Sequence, residues 1–237
     1  MSASNITANR RYFLLGSGAL FATLPFALPS QAHAQGLTSI LAKASDSALD
    51  KLAVPGAFYG DEDIRIKLPL IGDLGDLGGL GDLASRASGL FGRKKKIDLL
   101  GGLTRTINDA AGVAAGEAKP IFRESINELS ITDAPGIIGK NDGATRYLEE
   151  SSGTKLEGKL RPLVDNSMTE MGAYNQLDKL GEQSSLVAQA GLTSDRLGQS
   201  VTEQALKGIF SYIANEEAKF RANPLDKVDD ILGGIFG

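Results

Sequence analysis

Residues 200–213 read Ser-Val-Thr-Glu-Gln-Ala-Leu-Lys-Gly-Ile-Phe-Ser-Tyr-Ile. Val201, Ala205, Leu206, Ile209, Phe210 and Ile213 recur at the three- and four-residue spacing of one helix face. Ser200 followed by Glu203 has the form of a capping box, which predicts a helix start at that point. Asn223-Pro224 predicts its end, because the residue before proline is driven out of the helical region.

The same period recurs along the chain. Leu37, Ile40, Leu41, Ala44, Ala48, Leu49 and Leu52 predict a helix over 37–54, stopped by Pro55-Gly56. Leu100, Leu103, Ile107, Ala111 and Ala114 predict a second, and Pro120 starts another that carries Ile121, Phe122, Ile126 and Leu129. Thr132 predicts the cap of a short helix with Ile137 and Ile138, and Asp142 the cap of the next, with Tyr147 and Leu148. Gly153 marks the gap before a longer helix over 154–180, with Leu156, Leu160, Leu163, Val164, Met168 and Met171 on its stripe and Pro162 as a kink or a fresh start. Val228, Ile231, Leu232, Ile235 and Phe236 predict a last short helix that docks on the bundle.

Two segments break the pattern. Ile64-Arg65-Ile66-Lys67-Leu68-Pro69 alternates apolar and charged residues, which is strand periodicity. No partner strand accompanies it, so it is expected as extended chain lying on a helical core. Residues 70–96 repeat Gly-Asp-Leu at 72–74, 75–77 and 81–83 and end in Arg93-Lys94-Lys95-Lys96. Glycine and aspartate form helices and strands poorly, so this predicts a flexible insertion. Its aspartates match neither an EF-hand loop nor a nonapeptide calcium repeat. The expected architecture is all-α: a single-domain helical bundle with one short extended segment near 64–69 and one Gly-rich insertion.

Residues 1–34 read as a signal peptide. Arg10 and Arg11 are their only formal charges, an apolar run follows, and Ala32-His33-Ala34 supplies a small-residue cleavage site before Gln35. Gly16, Gly18, Pro25 and Pro29 interrupt the run, which argues against the alternative of a transmembrane anchor. Asn9-Arg10-Arg11-Tyr12-Phe13-Leu14-Leu15 resembles the twin-arginine export signal in Arg10, Arg11, Phe13 and Leu14, and departs from it at Asn9 and Leu15. An ordinary Sec signal is the other reading. The expected product is residues 35–237, periplasmic and soluble, with no membrane span after cleavage and with the twin-arginine export machinery as its first partner.

Composition excludes several chemistries. The chain of 237 residues has no Cys, no Trp and one His, which lies in the signal segment. Thiol and imidazole nucleophile systems, structural zinc and Cys- or His-ligated haem therefore have no ligands in the product. No cofactor and no metal site is expected. The net charge of −4, more negative still without Arg10 and Arg11, disfavours a nucleic-acid partner.

Several blocks together resemble a bacterial envelope family known as domain of unknown function 4197. They are Pro-Gly-Ala-Phe-Tyr at 55–59, Ile-Arg-Ile-Lys-Leu-Pro at 64–69, Glu-Ala-Lys-Pro-Ile-Phe at 117–122 and Ser-Ile-Thr-Asp-Ala at 130–134. Asp-Gly-Ala-Thr-Arg-Tyr-Leu at 142–148, Val-Thr-Glu-Gln-Ala-Leu-Lys-Gly-Ile-Phe at 201–210, Glu-Glu-Ala-Lys-Phe-Arg-Ala-Asn-Pro at 216–224 and the Ile-Phe-Gly end complete the set. The resemblance spans about 46–237 and implies a mainly helical single domain without a transferable activity. Many members resemble lipoproteins, whereas this chain has no cysteine to acylate, so a protein without a lipid anchor is expected.

No catalytic residue is assigned. Ser152-Gly153-Thr154-Lys155 fits Ser-x-x-Lys, but no Ser-Asp-Asn or Lys-Thr-Gly follows, and chance accounts for such a pair. The adjacent carboxylates at 61–63, 149–150, 216–217 and 229–230 point in different directions if helical. Three residues are candidates for binding: Tyr59 in a Gly-flanked loop, Lys119 before Pro120, and Glu216. A buried Lys119 would need a carboxylate such as Glu216 or Glu217, and a snorkelling lysine would not. Two function classes stay open: a non-enzymatic protein binding an envelope protein or an apolar ligand, and a hydrolase using carboxylates or a Ser-Lys pair.

Overall fold

A computed structural model describes residues 30–69, 95–130, 140–183 and 192–222, with side chains from 36, 99, 140 and 192 onward in these four segments and through Glu182 in the third. The expected Thr132 helix, the last helix at 228–236, the Gly-Asp-Leu repeats and Arg10, Arg11, Phe13 and Leu14 lie outside the described residues.

Seven helices form the described fold, which is all-α: α1 Ser30–Leu52, α2 Ala57–Gly60, α3 Lys95–Glu117, α4 Lys119–Asn127, α5 Gly143–Glu170, α6 Ala173–Gln183 and α7 Ser194–Ala222. Helix α7 packs along α1 and α5, and α3 lies against α5, α6 and α2. One core joins them, built from Leu41, Leu49, Leu52, Leu103, Ile107, Phe122, Leu148, Leu156, Ile209 and their neighbours. Phe122 of α4 meets Phe210 of α7 edge-on at 6.0 Å between ring centroids, an orientation that sets ring edge against ring face.

The structure corrects five expectations. Helix α7 starts at Ser194, six residues before the supposed capping box. Thr193 is the cap: its Oγ1 accepts from Arg196 N at 3.2 Å. Ser200 and Glu203 sit inside the helix, where an i, i+3 pair looks the same in sequence as a cap. Helix α5 runs unbroken through Gly153, and the chain turns instead at Gly172, whose φ of 76° is the left-handed conformation that ends helices. An interior glycine costs only about 1 kcal/mol relative to alanine, less than the burial of Leu148, Leu156 and Leu160 on either side recovers. Met171, expected on the apolar stripe, is instead 39% exposed at that turn. The α1 helix reaches back to Ser30, so the peptide bond between Ala34 and Gln35 lies in its second turn. The start of α3 at Lys95 takes Lys95 and Lys96 out of the expected insertion.

Asp142 flanks the start of α5 as expected but does not cap it. Its Oδ2 accepts from Arg146 Nε at 2.8 Å. The cap comes from Glu217 of α7, whose Oε1 accepts from Ala144 N at 3.1 Å and whose Oε2 accepts from Thr145 N at 2.8 Å and Thr145 Oγ1 at 2.6 Å. A buried carboxylate with two oxygens fills both orphan amides and faces the positive end of the helix dipole.

The alternating segment is extended chain, and among the described residues no strand pairs with it. Ile64, Ile66 and Leu68 point into the core. Its edges are closed by two side-chain amides. Asn108 of α3 accepts from Ile66 N at 2.8 Å and donates to Ile66 O at 2.9 Å. Gln204 of α7 does the same for Lys67, at 2.9 Å in both directions. Successive residues of a strand present their peptide groups to opposite sides, so one amide serves each edge. Gly208 makes room for this strap. A Cβ there would stand 3.1 Å from Phe58 and 3.2 Å from Ile64.

Asn108 is buried and Gln204 is only half-buried, with its bond to Lys67 N exposed. Asn108→Ala is expected to cost about 2–3 kcal/mol, because the Ile66 peptide groups lose their partner away from water. Gln204→Ala should cost under about 1 kcal/mol, since water replaces its amide. Urea unfolding of the two variants checks this, and equal losses would contradict the clamp.

Candidate functional site

Among the described residues, most of the groups with chemical potential are tied to a fixed partner. Glu217 is wholly buried and also faces Arg221, with Nη2 2.6 Å and Nε 2.8 Å from Oε1. Glu216, one residue earlier, points the other way. It accepts from Lys219 at 2.8 Å, from Ser47 at 2.7 Å, and lies 2.6 Å from Lys51. Burial alone would raise its pKa. The hydrogen bonds from Lys219, Lys51 and Ser47 outweigh burial and hold it at about 2. Glu216 thus ties the last turns of α7 to α1, and it presents no free carboxylate.

Lys119 pairs with Asp50 of α1, and neither Glu216 nor Glu217 reaches it. Its side chain is 31% exposed, in keeping with the snorkelling alternative. The lysine is one rung of a ladder along α4. Lys119 and Arg123 face Asp50 and Asp46 of α1, while Glu124 and Glu128 face Lys159 and Lys155 of α5. An open groove of about 560 Å³ runs over this ladder, lined by Lys119, Pro120, Arg123, Glu124, Asn127 and Glu128. Its four charged walls are already neutralised.

The Ser-x-x-Lys pair lies inside α5. The hydrogen bond from Lys155 to Glu128 raises the lysine pKa, and its charge attracts the proton further. A general-base lysine needs the opposite shift. Arg161 of α5 is saturated as well, by Asp165 at 2.8 Å, Gln199 at 3.0 Å, and Asp195 at 2.9 Å through its side chain and 3.2 Å through its carbonyl. Tyr174 donates to Asp165 in the same cluster, and burial followed by that bond pushes its phenol well above the usual range. The cluster packs on Gly198, where a Cβ would come within 2.6 Å of the Tyr174 hydroxyl.

Tyr59, on the one-turn helix α2, differs. Two guanidinium groups lie over its ring, Arg65 at 5.0 Å and Arg105 at 4.7 Å from the centroid. Arg65 Nε donates to the Tyr59 carbonyl at 2.6 Å, and Glu62 approaches its Nη2 only to 3.9 Å. Arg105 is exposed, and among the described residues no carboxylate pairs with it. The loop is pinned from below: Tyr212 of α7 donates to Asp61 at 2.7 Å, and that bond, then burial, pushes its phenol up to about 12. Arg105 was not legible as a site residue, because Tyr59 and Arg105 meet only when α2 folds onto α3.

No group of three or more His, Cys, Asp or Glu able to hold a metal occurs among the described residues. A family described as a protein of unknown function, domain of unknown function 4197, matches residues 27–237. The chain belongs to this family. The match starts earlier than the expected 46. No curated protein and no solved structure matches the chain.

Glu216 stabilises the fold through a lowered pKa, so its contribution is full above about pH 4.5 and is lost as pH falls towards 2. The amount is on the order of 3 kcal/mol at most, reduced because Lys51 and Lys219 are half or more exposed. Melting temperatures between pH 6 and pH 2 should fall less steeply for Glu216→Gln than for the parent chain. Parallel curves would contradict the pairing.

Proposed function

We propose that the chain is exported on the signal at 1–34, works as a soluble periplasmic protein without a lipid anchor, and acts by binding an envelope component rather than by catalysis. The observation that supports binding over catalysis is the contrast in saturation. Glu216, Glu217, Lys155, Arg161 and Tyr174 spend their hydrogen bonds inside the fold, whereas Arg105 beside Tyr59 offers its donors to solvent. Arginine and tyrosine are the residues that anchor protein interfaces. A hydrolase would need a group poised to change protonation near neutral pH. The Ser152-Lys155 pair has its lysine shifted upward, and the Glu216 carboxylate is held far below neutrality.

Export supports itself on Arg10, Arg11, the apolar run and the Ala32-His33-Ala34 site. Arg10→Lys with Arg11→Lys should leave the precursor uncleaved in the cytoplasm, while the parent chain yields an N-terminus at Gln35 by mass spectrometry. Normal periplasmic accumulation of the double variant would move the signal to the Sec route. For the activity, Ser152→Ala and Lys155→Ala should each restore the phenotype of a deletion strain. Complete loss with Ser152→Ala, in a protein that still folds, would instead establish the hydrolase.

A further inference from the structure

The two arginines over Tyr59 pose an electrostatic problem. Both guanidinium carbons lie within 5.0 Å of one ring centroid, so two full positive charges stand within about 10 Å of each other at the surface. The ring faces attract each cation but do not neutralise the pair. Within the described residues Arg65 has only the distant Glu62, and Arg105 has no carboxylate at all. Asp61, on the same loop, is committed to the Tyr212 hydroxyl and to Asp63 N at 3.0 Å.

The arrangement is also held in place. Arg65 is fixed by its bond to the Tyr59 carbonyl, the loop by Tyr212, and the strap that follows by Asn108 and Gln204. Gly56, with φ of 78°, turns the chain into α2. A guanidinium stacked on a tyrosine ring whose loop is fixed costs less to bring onto an anion than a free side chain would. Guanidinium forks match the planar, two-oxygen geometry of a carboxylate or the oxygens of a phosphate. The surroundings choose between them. Asp61, Glu62 and Asp63 stand on the same loop and Asp109 one turn along α3 from Arg105, so a doubly charged phosphate meets more repulsion than a singly charged carboxylate.

We infer that the Tyr59 face is a binding site for a singly charged carboxylate, held by the exposed Arg105 guanidinium beside the tyrosine ring, with Arg65 adding positive charge near the same ring. This rests on the binding reading above and names the chemistry of its ligand. The carboxylate belongs either to a small organic acid or to a peptide C-terminus, which share the same recognition.

The test is a titration of the 15N-labelled protein, purified in the form that accumulates in cells and followed by NMR at the arginine Nε–H and the backbone signals of Tyr59, Arg65 and Arg105. The probes are acetate, acetyl-Ala-Ala with a free C-terminus, its C-terminal amide, and inorganic phosphate. Saturable shifts with the free-acid peptide, absent with the amide, are expected at a Kd of about 1–10 mM, the range for a single exposed ionic contact. Acetate reproducing the shifts marks a small acid as sufficient, and shifts with the peptide alone mark a C-terminus. Both bear out the carboxylate. Arg105→Gln should weaken binding at least about tenfold and Arg105→Lys should recover part of it, since the charge returns without the fork. Arg105 is exposed, so both variants should keep the parent melting temperature; Tyr59→Leu, which removes the platform, gives a second route to the same loss. No shifts at tens of millimolar, equal shifts with the amide, tighter binding of phosphate, or unchanged binding by Arg105→Gln would each overturn the assignment. None of these outcomes touches the complementation result, so a failed carboxylate site and a failed non-enzymatic reading remain separable.

Discussion

A carboxylate buried near the end of α7 holds the beginning of α5. Glu217 has no exposure, and its two oxygens receive the amides of Ala144 and Thr145, the Thr145 hydroxyl and the Arg221 guanidinium. A charge this deep is tolerated only when every lone pair is used and a cation stands beside it. That requirement fixes the axial position of α5 against α7, because a slip by one turn would leave both the carboxylate and the helix end unpaired. Glu216, on the adjacent side of α7, fixes α1 through Ser47 and Lys51 in the same way. Two consecutive glutamates therefore lock three helices.

The first half of α7 does a different job. Gln204 closes one edge of the strap and Gly208 leaves space for Phe58 and Ile64. Asn108 closes the other edge from α3. A single extended segment in a helical protein would otherwise carry unpaired peptide groups into the core, at a cost comparable to a lost hydrogen bond for each. The strap in turn orders the loop before it. The Tyr59 platform, with Arg65 and Arg105, is thus positioned by the same helix that organises the core, through Tyr212, Gln204 and Gly208.

The charged surface divides into two kinds. Along α4 the ion pairs are reciprocal, basic residues facing acids of α1 and acidic residues facing lysines of α5. Exposed pairs of this type contribute little individually, but they leave no net field for a ligand to read. At Tyr59 the cations outnumber the carboxylates that touch them, and that imbalance is what separates a candidate binding surface from a solvated helix face.

Periodicity alone determined that the chain is helical, where most of its apolar stripes lie, and that 64–69 is extended. These follow from side-chain spacing, which is a local property. The family was legible for the same reason, in short blocks of consecutive residues. Helix ends were less so: Ser200-Glu203 imitated a cap, Gly153 imitated a gap, and Asp142 was displaced from its expected role, because the competing partners Thr193, Gly172 and Glu217 win by geometry or by burial. The partners of Lys119 and Tyr59 were beyond reach. Asp50 lies 69 positions from Lys119, and Arg105 joins Tyr59 only after α2 has packed on α3. Pairings between distant residues depend on how helices cross, and crossing is settled by the whole core at once, with the buried glutamates and the amide clamps selecting one arrangement among those that the apolar stripes allow.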